Sequence, residues 1–380
     1  MKDGKLYGLV IADIHYGKKD DVLLNKNLDK FFFPKIYEEN YDIDYVIVAG
    51  DLFDRIMKLT EMGSIFALNF INHLVELAIQ YDFVVRILKG TKTHDYNQLN
   101  NFKSLEAKHF PRFRVIETVE EEEIFENVTF LYVPEEYMDN PTEYYSKYFD
   151  LEEGVAYDMM FFHGTFDFVG FIPDVESERH IKHAPVFSGE KISKIVYGKA
   201  IGGHIHNRMI WKNIEYTGSF DRFSFGDTKP KGFLEVFYDL ETLECTTNFI
   251  ENTDAPIYVT FNMDDFEGTL EEKIQTIKEL KDQYENIRII AKSANEEDVA
   301  SVKKLTSGID NVKLDIKRQE VEDSVDEQYV FIINREYDVP TTVQKYIALE
   351  DGKTIPLEEI NEILSEEEAI VWWNWRVWEE

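Results

Sequence analysis

The chain has 380 residues, 44% of them hydrophobic and 14% aromatic, enough for two or three packed domains and too apolar for a disordered polymer. Against 41 Lys and Arg stand 74 Asp and Glu, a formal charge of -33 that argues against nonspecific binding of nucleic acid over the whole surface. The single cysteine, Cys245, excludes an internal disulfide and a cysteine metal cage.

A reducing, cytoplasmic setting is expected. No apolar run nears the roughly 18 residues of a membrane helix, and residues 1–4 lead directly into a strand-like segment, so neither a membrane span nor a signal peptide is expected.

The first predicted strand, 6–12, ends in Asp13-Ile14-His15. Alternate residues of a strand-end loop can point to one side, so Asp13 and His15 can both reach one ion. A helical stretch over 23–38 follows, then a buried strand, 45–49, closing on Gly50-Asp51-Leu52-Phe53-Asp54. Glycine lets the backbone turn sharply there and leaves Asp51 projecting from the sheet edge, with two oxygens that could bridge two cations. After a helix over 59–80 and a strand over 83–88 comes Lys89-Gly90-Thr91-Lys92-Thr93-His94-Asp95. This alternation is the pattern of an α/β domain.

From about 114 to 250 strands dominate, at 128–133, 159–162, 195–201, 208–212 and 233–238. The run Glu120 to Glu123 reads as a solvated turn between strands. The strand at 159–162 runs into His163-Gly164, and the one at 195–201 into Gly202-Gly203-His204-Ile205-His206. Residues 181–233 hold nine Lys or Arg against four acids, whereas 320–380 hold 17 acids against four bases, so a basic middle and an acidic end suggest different partners. A second unit begins near Ala255-Pro256, with strand 257–261, helix 270–284, strand 287–291, helix 296–307 and strand 312–316. Beyond the acidic 320–327 comes an amphipathic helix at 356–364. Four of the five tryptophans, Trp372, Trp373, Trp375 and Trp378, follow it in a tail that suits either a satellite core or a docking segment.

Taken singly, an Asp-x-His or a His-x-His is usually a surface loop. Five such motifs in order, each at a strand's carboxyl end where α/β active sites form, point together to a metal centre. Mixed carboxylate and imidazole donors suit Mn, Fe or Zn better than Ca or Mg. His73, His109, His180 and His183 stand outside the set, and Asp54 and Asp95 read as supporting groups that orient their neighbours.

In that order, Asp-x-His, Gly-Asp-x-x-Asp, a His-Asp loop, a lone His and Gly-His-x-His resemble the calcineurin-like metallophosphoesterase superfamily. Tyr216-Thr217-Gly218-Ser219, Arg222, Ser224-Phe225-Gly226-Asp227 and Lys231-Gly232-Phe233 are similar to the segment closing the nuclease domain of SbcD-type DNA repair exonucleases, bacteriophage recombination nuclease subunits included. The resemblance implies an α/β metallophosphoesterase fold, two packed mixed sheets flanked by helices, over 1–252. A smaller α/β capping domain over 253–320 and an acidic, helical, partner-binding tail over 321–380 would follow.

The same resemblance implies two divalent ions, Mn2+ foremost, with Asp13, His15, Asp51 and His206 on one and His163 and His204 on the other. Asp51 would bridge them, and His94 would contact the scissile phosphate and protonate the leaving oxygen. Where the family has an asparagine on the second ion, the residue before His94 is Thr93, a shorter and weaker neutral donor. Arg222, Lys199 and Arg208 are, by charge and position, the candidates for gripping the DNA backbone. The implied activity is 3′-to-5′ exonuclease on duplex ends and endonuclease on single strands, by in-line attack of metal-bound hydroxide. It would belong to a homodimer partnered by an SbcC-type coiled-coil ATPase in recombination and repair, contacted through 355–380. The alternatives are a metallophosphoesterase acting on nucleotides or phosphoproteins, and a catalytically weak DNA-end-binding scaffold.

Overall fold

The computed structural model describes residues 4–37, 42–151, 156–169, 184–284, 286–291, 296–306 and 312–316. Contacts divide the chain into units 1–317 and 318–380, and the elements below belong to the first. The expected tail helix, the terminal tryptophans, His180 and His183 lie outside the described residues.

In chain order the strands are β1 (Lys5–Ile11), β2 (Tyr45–Ala49), β3 (Val84–Leu88), β4 (Phe113–Ile116), β5 (Glu120–Phe125), β6 (Val128–Val133), β7 (Met159–His163), β8 (Thr165–Phe166) and β9 (Val186–Phe187). They continue as β10 (Ala200–Gly203), β11 (Met209–Trp211), β12 (Ile214–Tyr216), β13 (Gly232–Asp239), β14 (Glu244–Glu251), β15 (Tyr258–Asn262), β16 (Asn286–Ala291) and β17 (Val312–Ile316). Two six-stranded mixed sheets result, in the orders β14-β13-β1-β2-β3-β4 and β11-β12-β10-β7-β6-β5. In each the central strands are parallel; antiparallel strands form both edges of the second sheet and the β14-β13 edge of the first, whose other edge, β4, is parallel to β3. Such central strands are buried on both faces, which is why β2, Tyr-Val-Ile-Val-Ala, has no exposed position.

Strand alternation then sorts the side chains. Tyr45 and Ile47 join Leu6, Val10, Phe130, Phe161 and Ile201 in a core between the sheets, with the Tyr45 ring 5.2 Å from that of Phe130. Val46 and Val48 point the other way, into a core with the helix Met62–Tyr81, whose Phe70, Ile71, Leu74 and Ala78 are buried. This helix, expected over 59–80, has the length and mean hydropathy, 1.4, of a membrane span, yet half of that window is buried inside the fold.

Three expectations are corrected. The segment 195–201 is not one strand: Gly189–Ile195 is helical, and β10 starts at Ala200. Glu120 to Glu123 is not a turn but most of the edge strand β5, because acids on both of its faces find partners: Glu122 pairs with Arg86 at 2.8 Å, Glu120 with Arg114, and Glu121 accepts from Tyr157 Oη. The stretch expected as a single helix over 23–38 is broken into Asp21–Asn27, a π-turn at Leu28–Phe32 and Phe33–Tyr37, the π-turn falling just before Pro34, which has no N–H to donate.

Strands β15, β16 and β17 form a separate parallel three-stranded sheet with its own core of Phe261, Ile277, Ile287, Ile289 and Val302. Its helix Leu270–Gln283 starts at a capping box made by Thr269 and Glu272. The elements fall where the sequence places them, while contacts assign this sheet to the same unit as the larger pair. Arg222 donates to the Ala255 carbonyl at 3.1 Å, and the Phe225 ring lies 5.2 Å from that of Tyr258.

Candidate metal centre

The carboxyl ends of β1, β2, β3, β7 and β10 deliver their side chains to one place. Backbone geometry there is unusual: Asp13, His15, Asp51 and His204 all have left-handed backbone, at φ of 50°, 54°, 50° and 96°. For residues with a Cβ this is a strained state, of the kind that persists where surrounding bonds enforce it. Asp13 N and His15 N donate to the carbonyls of Gly50 and Asp51, which lock the first two loops together. Gly90 is required by close approach, since a Cβ there would stand 2.1 Å from Asp51 Oδ1.

Asp51 is fully buried at the middle of the cluster. Its Oδ2 lies 3.2 Å from His163 Nε2, 3.6 Å from His94 Nδ1 and 3.9 Å from His15 Nε2, and its Oδ1 accepts from Thr91 N at 2.6 Å. Burial works against its charge, but His163, then His94 and His15, hold it well below the usual carboxylate range. On one side stand Asp13, His15 and His206, the two imidazoles meeting Nε2 to Nε2 at 3.0 Å. On the other stand His163, His204 and Glu135.

Each ring is aimed from behind. His163 Nδ1 is 2.9 Å from the Ala49 carbonyl, which fixes its proton there and turns Nε2 inward. Asp54 lies 3.4 Å from His15 Nδ1 and accepts from Lys18 at 2.7 Å, so that His15 and Lys18 hold its carboxyl at about 2 despite burial. Asp95 is fully buried with its oxygens on the backbone N–H groups of Asp51, Phe53 and Gly90, where it shapes the loops.

The segment 216–233 backs His206. Lys231, with no exposed surface, donates to the His206 carbonyl at 2.6 Å and to Asp227 Oδ1 at 2.7 Å. That same oxygen is 3.8 Å from His206 Nδ1. Burial and the neighbouring His15 push His206 well below the ordinary histidine value, leaving it neutral and able to donate a lone pair.

Asp221, in the same segment, is pushed up to about 7 by burial. In the unfolded chain it would lose its proton near 4. The folded state therefore holds a proton the unfolded state has lost, and stability falls as pH rises from about 4 to about 7. Asp221→Asn is expected to flatten that part of the stability curve, read as urea midpoints at pH 4.5 and 7.5.

The structure brings together Asp13, His15, Asp51, His94, His163, His204 and His206, and sets four other expected site residues, Thr93, Lys199, Arg208 and Arg222, apart from them. Thr93 is exposed; Thr91 takes the central place instead, its Oγ1 lying 3.1 Å from Asp51 Oδ2, 3.2 Å from Glu135 Oε2 and 3.3 Å from His163 Nε2. A tight turn, with His94 N and Asp95 N both bonded to the Thr91 carbonyl, loops Lys92 and Thr93 outward. Lys199 precedes β10, at the end of the strand opposite His204, and both Lys199 and Arg208 pair at 2.6 Å with Glu215, whose side chain is wholly buried. Their charge neutralises that carboxylate. Arg222 is half-buried and tied to Ala255.

Glu135 was not among the expected residues. It follows Pro134 at the end of β6, and an acid at a strand's carboxyl end is the signal that would have found it. Its Oε2 lies 3.2 Å from His204 Nδ1 and 3.7 Å from His163 Nε2, and its Oε1 accepts from Tyr137 Oη at 2.7 Å. Burial opposes its charge, but His204 and then His163 hold it below the usual range. Burial would likewise lower His163 and His204, yet Asp51 raises the first and Glu135 the second above the ordinary value. These buried carboxylates call for positive charge, and the ligating atoms of each group lie within 4.8 Å of one another. Such a donor set can hold metal ions and fits divalent cations of borderline hardness.

Thr91→Val, which removes the hydroxyl and keeps the shape, is expected to weaken Mn2+ binding about tenfold or more, as loss of an orienting partner does. Thr93→Ala should leave it within about twofold, both by calorimetric titration.

No family model and no curated protein matches this sequence. A solved crystal structure 12% identical aligns over 65% of this chain and all of its own with a TM-score of 0.36, too loose a superposition to bear on fold or function.

Proposed function

We propose that the protein is a dinuclear-metal phosphodiesterase of the SbcD type, with the metallophosphoesterase fold, Mn2+ as its ion and DNA as its substrate. The observation that carries this is the pair of buried donor groups, Asp13 with His15 and His206, and Glu135 with His163 and His204, that meet at the Asp51 carboxylate. Divalent cations held there would supply charge neutralisation for an anionic ester and acidify water for attack.

The chain's own residues do the rest. Asp51 is placed to serve both halves of the centre, while Ala49, Asp54 and Asp227 keep three imidazoles turned to it. To His94, 5% exposed and 3.1 Å from His15, we assign the passing of a proton to the leaving oxygen. With Lys199 and Arg208 committed to Glu215, exposed Lys92 beside Thr91 and exposed Lys19, 5.5 Å from the Tyr258 ring, become the cations best placed for a nucleic-acid backbone. Homodimer formation, a cytoplasmic setting and a contact of 355–380 with an SbcC-type ATPase complete the proposal, on the resemblance alone. A decayed scaffold is disfavoured by the mutual aim of so many buried donors.

The test is metal analysis and cleavage of linear duplex and single-stranded DNA in Mn2+ and in Mg2+, with and without the coiled-coil ATPase. Two ions per chain and Mn2+-dependent cleavage are expected. Hydrolysis of para-nitrophenyl phosphate without any DNA cleavage would move the assignment to nucleotides or phosphoproteins, and absence of bound metal would leave a scaffold.

A further inference from the structure

We infer that Glu135 is a specificity-determining residue, whose charge makes the centre select singly charged phosphodiesters over doubly charged phosphomonoesters. The inference rests on the proposed dinuclear centre and names the chemical class of anion it accepts. Three carboxylates face the donor cluster, Asp13, Asp51 and Glu135, all essentially buried. Two divalent cations among them would leave a single net positive charge. Other charges around the cluster cancel or face away: Lys18 pairs with Asp54, Lys231 with Asp227, and Asp95 points at backbone amides. Without Glu135 the centre would carry two positive charges and suit a dianion.

Glu135 is held in place. Tyr137 Oη donates to its Oε1 at 2.7 Å. Oε2 is left pointing at Thr91, His204 and His163. A hydrogen-bonded carboxylate in a buried site cannot be screened by solvent, so it acts on a bound anion nearly at full strength. A monoester carries up to one more negative charge than a diester at pH 8, and the penalty falls on that extra charge.

The test uses the full chain loaded with Mn2+, as wild type, Glu135→Gln and Glu135→Asp, with inorganic phosphate and dimethyl phosphate as probes. Glutamine keeps a neutral oxygen donor, and aspartate keeps the charge. In Glu135→Gln, inorganic phosphate should bind about tenfold or more tightly, with dimethyl phosphate changed less than about threefold, by calorimetry at pH 8. The ratio of para-nitrophenyl phosphate to bis-para-nitrophenyl phosphate hydrolysis should rise by a similar factor, and Glu135→Asp should keep the wild-type preference. Equal shifts for the two anions, or loss of a bound Mn2+ in Glu135→Gln, would overturn the inference by making Glu135 a simple ligand. Wild type that binds two Mn2+ and shows the predicted anion shift on mutation, yet leaves DNA intact, would refute the nuclease proposal and uphold this one.

Discussion

Under the proposed function, Asp51→Asn is expected to lower phosphodiester hydrolysis by about a thousandfold or more and to reduce the Mn2+ retained after dialysis from the proposed two per chain to one or none. Among the described residues Asp51 has its carboxylate within 4 Å of three imidazoles drawn from three different loops. Asparagine fills the same volume and keeps an oxygen for the Thr91 N–H, so the loops retain their anchor while the charge at the centre is lost. Far-UV circular dichroism should therefore be unchanged. Retention of both ions with full activity would show that the two halves of the cluster do not depend on a shared carboxylate.

Lys231→Met is expected to destabilise the fold by about 3–5 kcal/mol, read from the urea midpoint. Lys231 and Asp227 form an ion pair with no more than 1% of either side chain exposed. Removal of one partner leaves the other charge buried and uncompensated, which is far worse than replacing both. Burial lowers the Lys231 pKa, but Asp227 opposes this and the pair stays charged. The double change Lys231→Met with Asp227→Asn should recover more than half of the loss, since asparagine can still accept from the Phe223 and Ser224 N–H groups. Equal instability in single and double variants would mean that the lysine acts through its bond to the His206 carbonyl instead.

Much of this centre was legible in the amino-acid order because strand ends announce themselves: a run such as Tyr-Val-Ile-Val-Ala followed by Gly-Asp has few other interpretations. What escaped was register inside a loop. Thr91 and Thr93 differ by two positions, and the turn that sends one inward and the other out is made by backbone bonds that composition does not encode. Charge counting failed for a related reason. Nine bases in 181–233 look like a cationic surface, but Lys199 and Arg208 serve a buried glutamate from β12 that lies 16 and 7 residues further along the sequence. The acidic run of β5 hid its alternation because glutamate occupies both faces, and the arginines that receive it come from β3 and β4, in the other sheet.

Four non-glycine residues of the cluster, in a conformation that glycine adopts freely, draw on the stability of the fold. Each imposes about 1–2 kcal/mol on a native state whose whole margin is about 5–15 kcal/mol. Glycine at any one of them is expected to relieve the backbone and leave the strands intact, while removing a carboxylate or imidazole from the cluster. Stability and the donor set thus pull these four positions in opposite directions.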